Sequence, residues 1–469
     1  MSGLFNTLNS STMALNAHSR AIETTGKNLA NVNNPNYARQ RIIYGDRGTV
    51  QTPEGAQSLG LEALGIQQLR DVLQDRQLMR EIGLSGSFEQ QQETLQRALA
   101  GLGQSIDGGS SISATGSTSG GLGAAIDDFF NAFQNLASRP TDAGARQTLL
   151  QKTGILTDTL HEADTRLAQV QTDVDAGIDA NVTDANSIIS TISDLNKQIA
   201  RFEVGHPGTA VDLRDQRQAK LEDLAKILPV HVTDLGDGQV KLTVKDAGNT
   251  DIVLLDGPTV YGSLAFTGTA LTGGATPTAI ALASGSIYGG LTVRDGAVQQ
   301  LRDSLGAFAG QLVTSVNGLY NPASTAGADF FDPAGTTAGT IALRSGLTAA
   351  TLVTGAGAAG DNTIAVAIAN LANTNFSTAA GDAIDGTFSQ FYSHAVSDLG
   401  QALSTATARA DDQEKIQTLV RNQRDTVSGV SMDEEMSDLV KFQRAFQASS
   451  RVFSVVDELL DTVVNRLGA

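Results

Sequence analysis

The chain has 469 residues, enough for two to four domains, with 50 acidic against 32 basic side chains and a formal charge of −18. A surface that acidic repels phosphate backbones and argues against nucleic acid as a partner. Cys and Trp are absent and aromatics make up only 5%, which removes disulfides, thiolate chemistry and Cys-held metals and disfavours a large aromatic-lined pocket.

The first thirty residues lack a basic start and an unbroken apolar core, so no conventional secretory signal is expected. No apolar run approaches the length of a membrane helix. These two features point to a soluble cytoplasmic chain, or to one exported without cleavage. Apolar residues recur seven apart at Leu8, Leu15, Ile22 and Leu29, while Leu4, Ser11, His18 and Thr25 fill the interleaved positions. The spacing predicts a helix whose seam is half polar and marginal without a partner. Asn33, Asn34 and Pro35 end it, because the residue before a proline is pushed out of helical geometry. Residues 37–44 alternate as an extended segment.

Helical spacing fills 62–102, followed by a Gly/Ser/Thr connector at 103–123. It resumes at Ile126, Phe129, Phe130, Phe133 and Leu136, stops at Arg139 and Pro140, and continues over 142–203, about 90 Å of helix. Past Pro229 the period falls to two: Val230 and Val232, then Val240, Leu242 and Val244, around Gly236-Asp237-Gly238, predict a hairpin, and 252–255 adds a strand. Helical spacing returns at Val298, Leu301, Leu305, Phe308, Leu312 and Val316. Residues 321–383 are Ala/Gly/Thr-rich and weakly patterned, and 384–428 are helical again.

The last segment carries the strongest pattern. Met432, Leu439, Phe446, Phe453, Leu460 and Leu467 recur every seven residues, and Phe442, Ser449, Val456 and Val463 supply the second stripe. Ser431 with Glu434 reads as a capping box, with Asp433 and Glu435 adding charge to the first turn. A single amphipathic helix usually covers an ordinary core. Two of them at opposite extremes must pair or be docked by neighbours, since terminal segments otherwise fray.

The fold class expected is mainly α with inserted β: an elongated rod of long antiparallel helices with a terminal coiled-coil pair. The expected domains are 1–60 with 430–469 for assembly, 61–225 with 293–320 and 384–429 as a helical body, 226–292 as a β-rich insertion, and 321–383 as a small variable insertion. Chemistry is hard to find. Residues 355–360 (GAGAAG) match a dinucleotide fingerprint, but no alternating strands and helices flank them, and the match comes cheaply in a Gly/Ala-rich stretch. The five histidines are scattered, and Asp173 and Asp175 lack the remaining ligands of a calcium loop. No catalytic residue, cofactor or metal is expected.

Residues 28–40 (NLANVNNPNYARQ) resemble the N-terminal signature of bacterial flagellar axial proteins, carried by Asn28, Ala30, Asn31, Asn33, Pro35, Tyr37, Arg39 and Gln40. Residues 434–451 resemble the matching C-terminal motif of the same family. Stretches 129–146, 211–217 and 289–320 narrow the likeness to its hook–filament junction members, with hook protein and hook-associated protein 3 as alternatives. Asn34 and Asn36 depart from the Thr and Gly usual there, and asparagine tolerates a left-handed backbone. The resemblance implies a non-enzymatic structural subunit, exported unfolded by the flagellar type III route to the hook–filament junction. It implies contacts with its own copies in a ring or helical layer, with hook protein, with hook-associated protein 3 and with an export chaperone on the C-terminal helix. It also implies terminal segments that fold on assembly.

Overall fold

The computed structural model describes residues 2–46, 48–52, 55–58, 60–102, 121–357 and 360–462. Most of the connector at 103–123 lies outside these residues, as do Val463 and Leu467. The chain is mainly α with small β insertions, and it divides into two compact units.

The first unit takes residues 1–86, 181–285 and 413–469. Its ends are two long helices, α1 (Ser2–Ala30) and α10 (Met432–Asp461), which pack on each other, the last turn of α1 meeting the first turn of α10. They therefore run antiparallel. After α1 the chain forms β1 (Gln40–Asp46), a small hairpin β2 (Thr49–Thr52) and β3 (Gly55–Ser58), and β4 (Leu61–Gln68), which returns antiparallel to β1. Residues 62–68 are thus strand, not the helix that their spacing predicts. Leu64 is the cause. Ile43 pairs with Gly65 and Tyr44 with Ala63, so Leu64 bulges out unpaired and breaks the two-residue alternation. Gly45 makes room for it: a Cβ there would sit 2.6 Å from a Leu64 methyl.

Beyond β4, α2 (Val72–Gly101) begins, and the last part of α4 (Ala143–Phe202) and α5 (Val211–Ile227) complete the helical part of this unit. The alternation past Pro229 forms an antiparallel sheet of β5 (His231–Asp234), β6 (Val240–Lys245), β7 (Asp251–Asp256) and β8 (Thr259–Val260). Gly236 and Gly238 both take positive φ at the hairpin, where a side chain would be strained. Three short strands, β9 (Ala265–Phe266), β10 (Leu271–Gly273) and β11 (Thr278–Ala279), form a second sheet.

The second unit takes residues 87–180 and 286–412. Here α3 (Leu122–Ser138), the first part of α4, α6 (Ser286–Val293), a five-residue π-helical turn (Arg294–Val298), α7 (Gln299–Tyr320) and the first part of α9 (Phe388–Ser428) surround one apolar core. The Ala/Gly/Thr-rich stretch 321–383 contributes to that core. Phe330 and Phe331 are fully buried, Phe330 lies 5.4 Å from both Phe133 and Tyr320, and Ile341, Ile368 and Phe376 join them. The glycine fingerprint at 355–360 precedes α8 (Thr363–Asn370). There Asp361 accepts from the amides of Gly357 at 2.7 Å and Thr363 at 2.9 Å, so the loop holds its own carboxylate where a phosphate would sit. Asp175 pairs with Arg294, and Asp173 accepts from Gln169 along α4, as expected of a helix face and not of a calcium loop.

Candidate assembly site

Four residues of the N-terminal signature, Asn28, Tyr37, Arg39 and Gln40, fold into one polar clamp within the first unit. Pro35 blocks continuation of α1, and the asparagines satisfy the backbone groups left open at its end. Asn31 donates to the Lys27 carbonyl at 3.0 Å, Asn34 donates to the Asn31 side chain at 3.2 Å, and the Asn36 amide donates to the Asn34 side chain at 3.2 Å. The turn needs no left-handed residue: neither Asn34 nor Asn36 has positive φ.

Asn28 is the hub. It is 2% exposed and makes four hydrogen bonds. Its Nδ2 donates to the Gln40 carbonyl at 2.8 Å and to Glu435 Oε2 at 3.0 Å, and its Oδ1 accepts from Tyr37 Oη at 2.8 Å and from the Gln40 amide at 3.0 Å. One side chain therefore ties the last turn of α1, the start of β1 and the first turn of α10. Arg39 grips the same turn of α10, donating to Glu435 at 2.7 Å and Glu434 at 2.6 Å, with Asp438 at 3.7 Å. Its backbone amide donates to Ser428 at the end of α9, 2.8 Å away. Burial would lower the Arg39 pKa, but Glu435 and Glu434 outweigh it and hold the guanidinium above its usual value. Burial first, and then the carboxylates of Asp212, Asp215 and Glu435, raise the Tyr37 hydroxyl, so it stays a protonated donor.

Around this hub the clamp reaches further elements. Gln40 Nε2 donates to Asp212 on α5 at 3.0 Å, and Arg70, just before α2, bridges Asp215 at 2.5 Å and Asp75 at 3.1 Å. Arg424 on α9 donates to the Pro35 carbonyl at 2.9 Å and pairs with Glu222 at 3.1 Å. Such buried charges persist only because each has a partner. The predicted capping box does not form. Ser431 makes no side-chain cap, and Glu434 turns to Arg39 instead.

The remaining residues singled out by sequence divide by position. Ala30, Asn33 and Pro35 are exposed. Leu8, Leu15, Ile22 and Leu29 are half-buried, flanking a fully buried line of small residues: Ser11, Ala17, Ala21, Thr24 and Thr25. On α10, Val456 and Leu460 are buried and Leu439, Phe442 and Phe453 half-buried, whereas Phe446 and Met432 are 37% and 54% exposed. A further set on α10 (Met436, Val440, Val452, Val455 and Leu459) is exposed although apolar. Sequence reasoning missed Arg70, Glu222 and Arg424; it placed Asp212 and Asp215 in a family stretch and Glu435 in the C-terminal motif and the first-turn charge, without giving any of the three a contact. The available signal was weak: α5 is charged on every side, which reads as a solvated helix unless a buried network is suspected.

Residues 112–331 match the family model described as flagellar hook-associated protein FlgK helical domain, and residues 422–467 match flagellar basal body rod FlgEFG protein C-terminal. Flagellar hook-associated protein 1 of Bacillus subtilis is 25% identical over 520 residues, covering 100% of this chain and 99% of that protein. The protein of the same name from Escherichia coli is 24% identical over 568 residues, covering 98% and 99%. That from Salmonella typhimurium is 27% identical over 345 residues, covering 69% and 57%. Among solved structures, the flagellar hook junction protein FlgK from Burkholderia pseudomallei is similar with a TM-score of 0.45 and 22% identity, over 55% of this chain and 46% of that one.

Proposed function

Because the chain belongs to the flagellar hook-associated protein 1 family, we propose that the clamp joining its two ends is what makes it competent to sit between hook and filament. The chain is a structural subunit of the bacterial flagellum at that junction, and it assembles with other axial components. It acts through shape and packing, without catalysis. Its neighbours are further copies of itself in a layer, hook protein on one side and hook-associated protein 3 on the other, after export in the company of a chaperone that covers α10.

The observation that carries this reading is the Asn28–Arg39–Glu435 network, which places the N-terminal signature directly on the C-terminal helix. With one face of α10 committed to α1, the exposed Met436, Val440, Val455 and Leu459 are left for other helices. The test is a strain whose only copy lacks residues 432–469. It is expected to keep its hooks, shed its filaments and lose motility. Swimming cells with filaments still attached would overturn the reading.

A further inference from the structure

A second polar feature of the first unit shares Arg70 with the clamp. β4, the start of α2, the loop before α5, α5 itself and the β5–β6 hairpin enclose a cavity of about 250 Å³. Four arginines line it (Arg70, Arg76, Arg214 and Arg217) against two aspartates, Asp75 and Asp234. Much of that charge is already matched. Arg70 holds Asp75 and Asp215, and Arg214 grips Glu203 with two hydrogen bonds of 2.8 and 2.7 Å.

Two guanidiniums remain. Arg217 is only 6% exposed, and the partners of its Nη1 are neutral: Asn196 Oδ1 at 2.9 Å and the Gly238 carbonyl at 2.6 Å. Among the described residues it has no carboxylate within ion-pair distance. Arg76, on the exposed side of the cavity, has no ion-pair partner among them either. The carboxylates that act on Arg217 are Asp234 and Glu203: Asp234 Oδ1 already accepts from the Gly236 amide at 2.8 Å, and Glu203 is held by Arg214. Burial, reinforced by the Arg214 guanidinium, pushes Arg217 down to about 10. A buried cation on the wall of an accessible space is stabilised most by an oxyanion, and the guanidinium fork matches carboxylate and phosphate oxygens two at a time.

We propose that this cavity binds a small oxyanion, a carboxylate or a phosphate, held by Arg217 from within and by Arg76 at the rim. The anion is either free in solution or carried on an acidic side chain of a neighbouring copy. The full-length chain would be melted in rising sodium phosphate and in sodium acetate, each against sodium chloride at equal ionic strength. A saturable rise of a few degrees is expected for the parent chain, since a ligand that binds only the folded state stabilises it. It should be absent in Arg76→Gln and in Arg217→Lys, with far-ultraviolet circular dichroism confirming that both fold. Should Arg217→Lys not fold, Arg76→Gln alone decides. No saturable rise, or an equal rise in the variants, would overturn the proposal. Sedimentation velocity separates the sources. Phosphate that weakens self-association in the parent chain but not in Arg76→Gln assigns the site to a neighbour's carboxylate, and unchanged association assigns it to a free anion.

Discussion

Asn28→Ala removes the hub of the clamp and leaves its surroundings in place. The substitution strands the Gln40 amide and carbonyl, the Tyr37 hydroxyl and one oxygen of Glu435. Each hydrogen bond is worth about 1 kcal/mol net, and water entering the vacated space recovers part of the total, so a loss of about 3 kcal/mol is expected. At about 1.4 kcal/mol per factor of ten, protection of the Gln40 amide against hydrogen exchange should fall about 100-fold. Amides in the first turns of α10 should fall with it, because Glu435 loses its tie to α1. Asn33→Ala is the control: Asn33 belongs to the same signature but is exposed, so its replacement should move protection by less than about threefold, or about 0.5 kcal/mol. Native-state hydrogen exchange resolved by residue measures both. Equal effects of the two substitutions would refute the claim that burial at Asn28, and not the signature as such, ties the ends.

Three further outcomes are expected. Phe330→Ala should cost about 3–5 kcal/mol by calorimetry, because the ring is fully buried among Phe133, Tyr320 and Phe331; a loss under about 1 kcal/mol would place residues 321–383 outside the core. Burial alone would raise the Glu203 carboxyl, but its bonds to Arg214 and to the Gly208 and Ala210 amides outweigh this and hold it at about 2, below its ordinary 4.5. A depressed carboxylate stabilises the fold above its unfolded value and loses that contribution as pH falls through the folded one. Unfolding free energies from urea melts of the parent chain and Glu203→Gln should therefore differ by about 3 kcal/mol at pH 7 and converge between pH 4.5 and about 2, and a gap independent of pH would contradict the assignment. Leu460→Ala should destabilise the isolated chain by about 2–4 kcal/mol while Met432→Ala changes it by under about 0.5, a contrast read by thermal melts; equal losses would mean that both residues face α1.

Much of the architecture was legible because apolar spacing is set by geometry. The regular repeats over α4, α7 and α10 and the alternation in β5 to β7 describe surfaces that each pack on a single face, and such faces imprint a period. Legibility failed where a neighbour interrupted the period. The Leu64 bulge gave β4 a burial pattern repeating nearly every three residues, which imitates a helix. On α1 the leucines stand beside the seam, and the buried line is Ser11, Ala17, Ala21, Thr24 and Thr25, whose small size permits close approach but carries no strong hydropathy signal. The clamp was visible only as a resemblance. Glu435, Asp212 and Asp215 look in sequence like solvated charges, and only the fold brings Arg39, Gln40 and Arg70 to them.

The bond between Asn28 and Glu435 joins positions 407 apart. A contact of that span closes nearly the whole chain into a ring. The entropy lost in closing a ring grows only as the logarithm of its length, so the cost at equilibrium is modest. The delay is not, because contacts distant along the chain form late. Arg39 cannot find Glu435 until both ends are present, so a chain that stops before Glu435, or that lacks residues 1–39, cannot close its clamp. Closure of the clamp therefore marks a chain whose signature and first turn of α10 are both present and folded together.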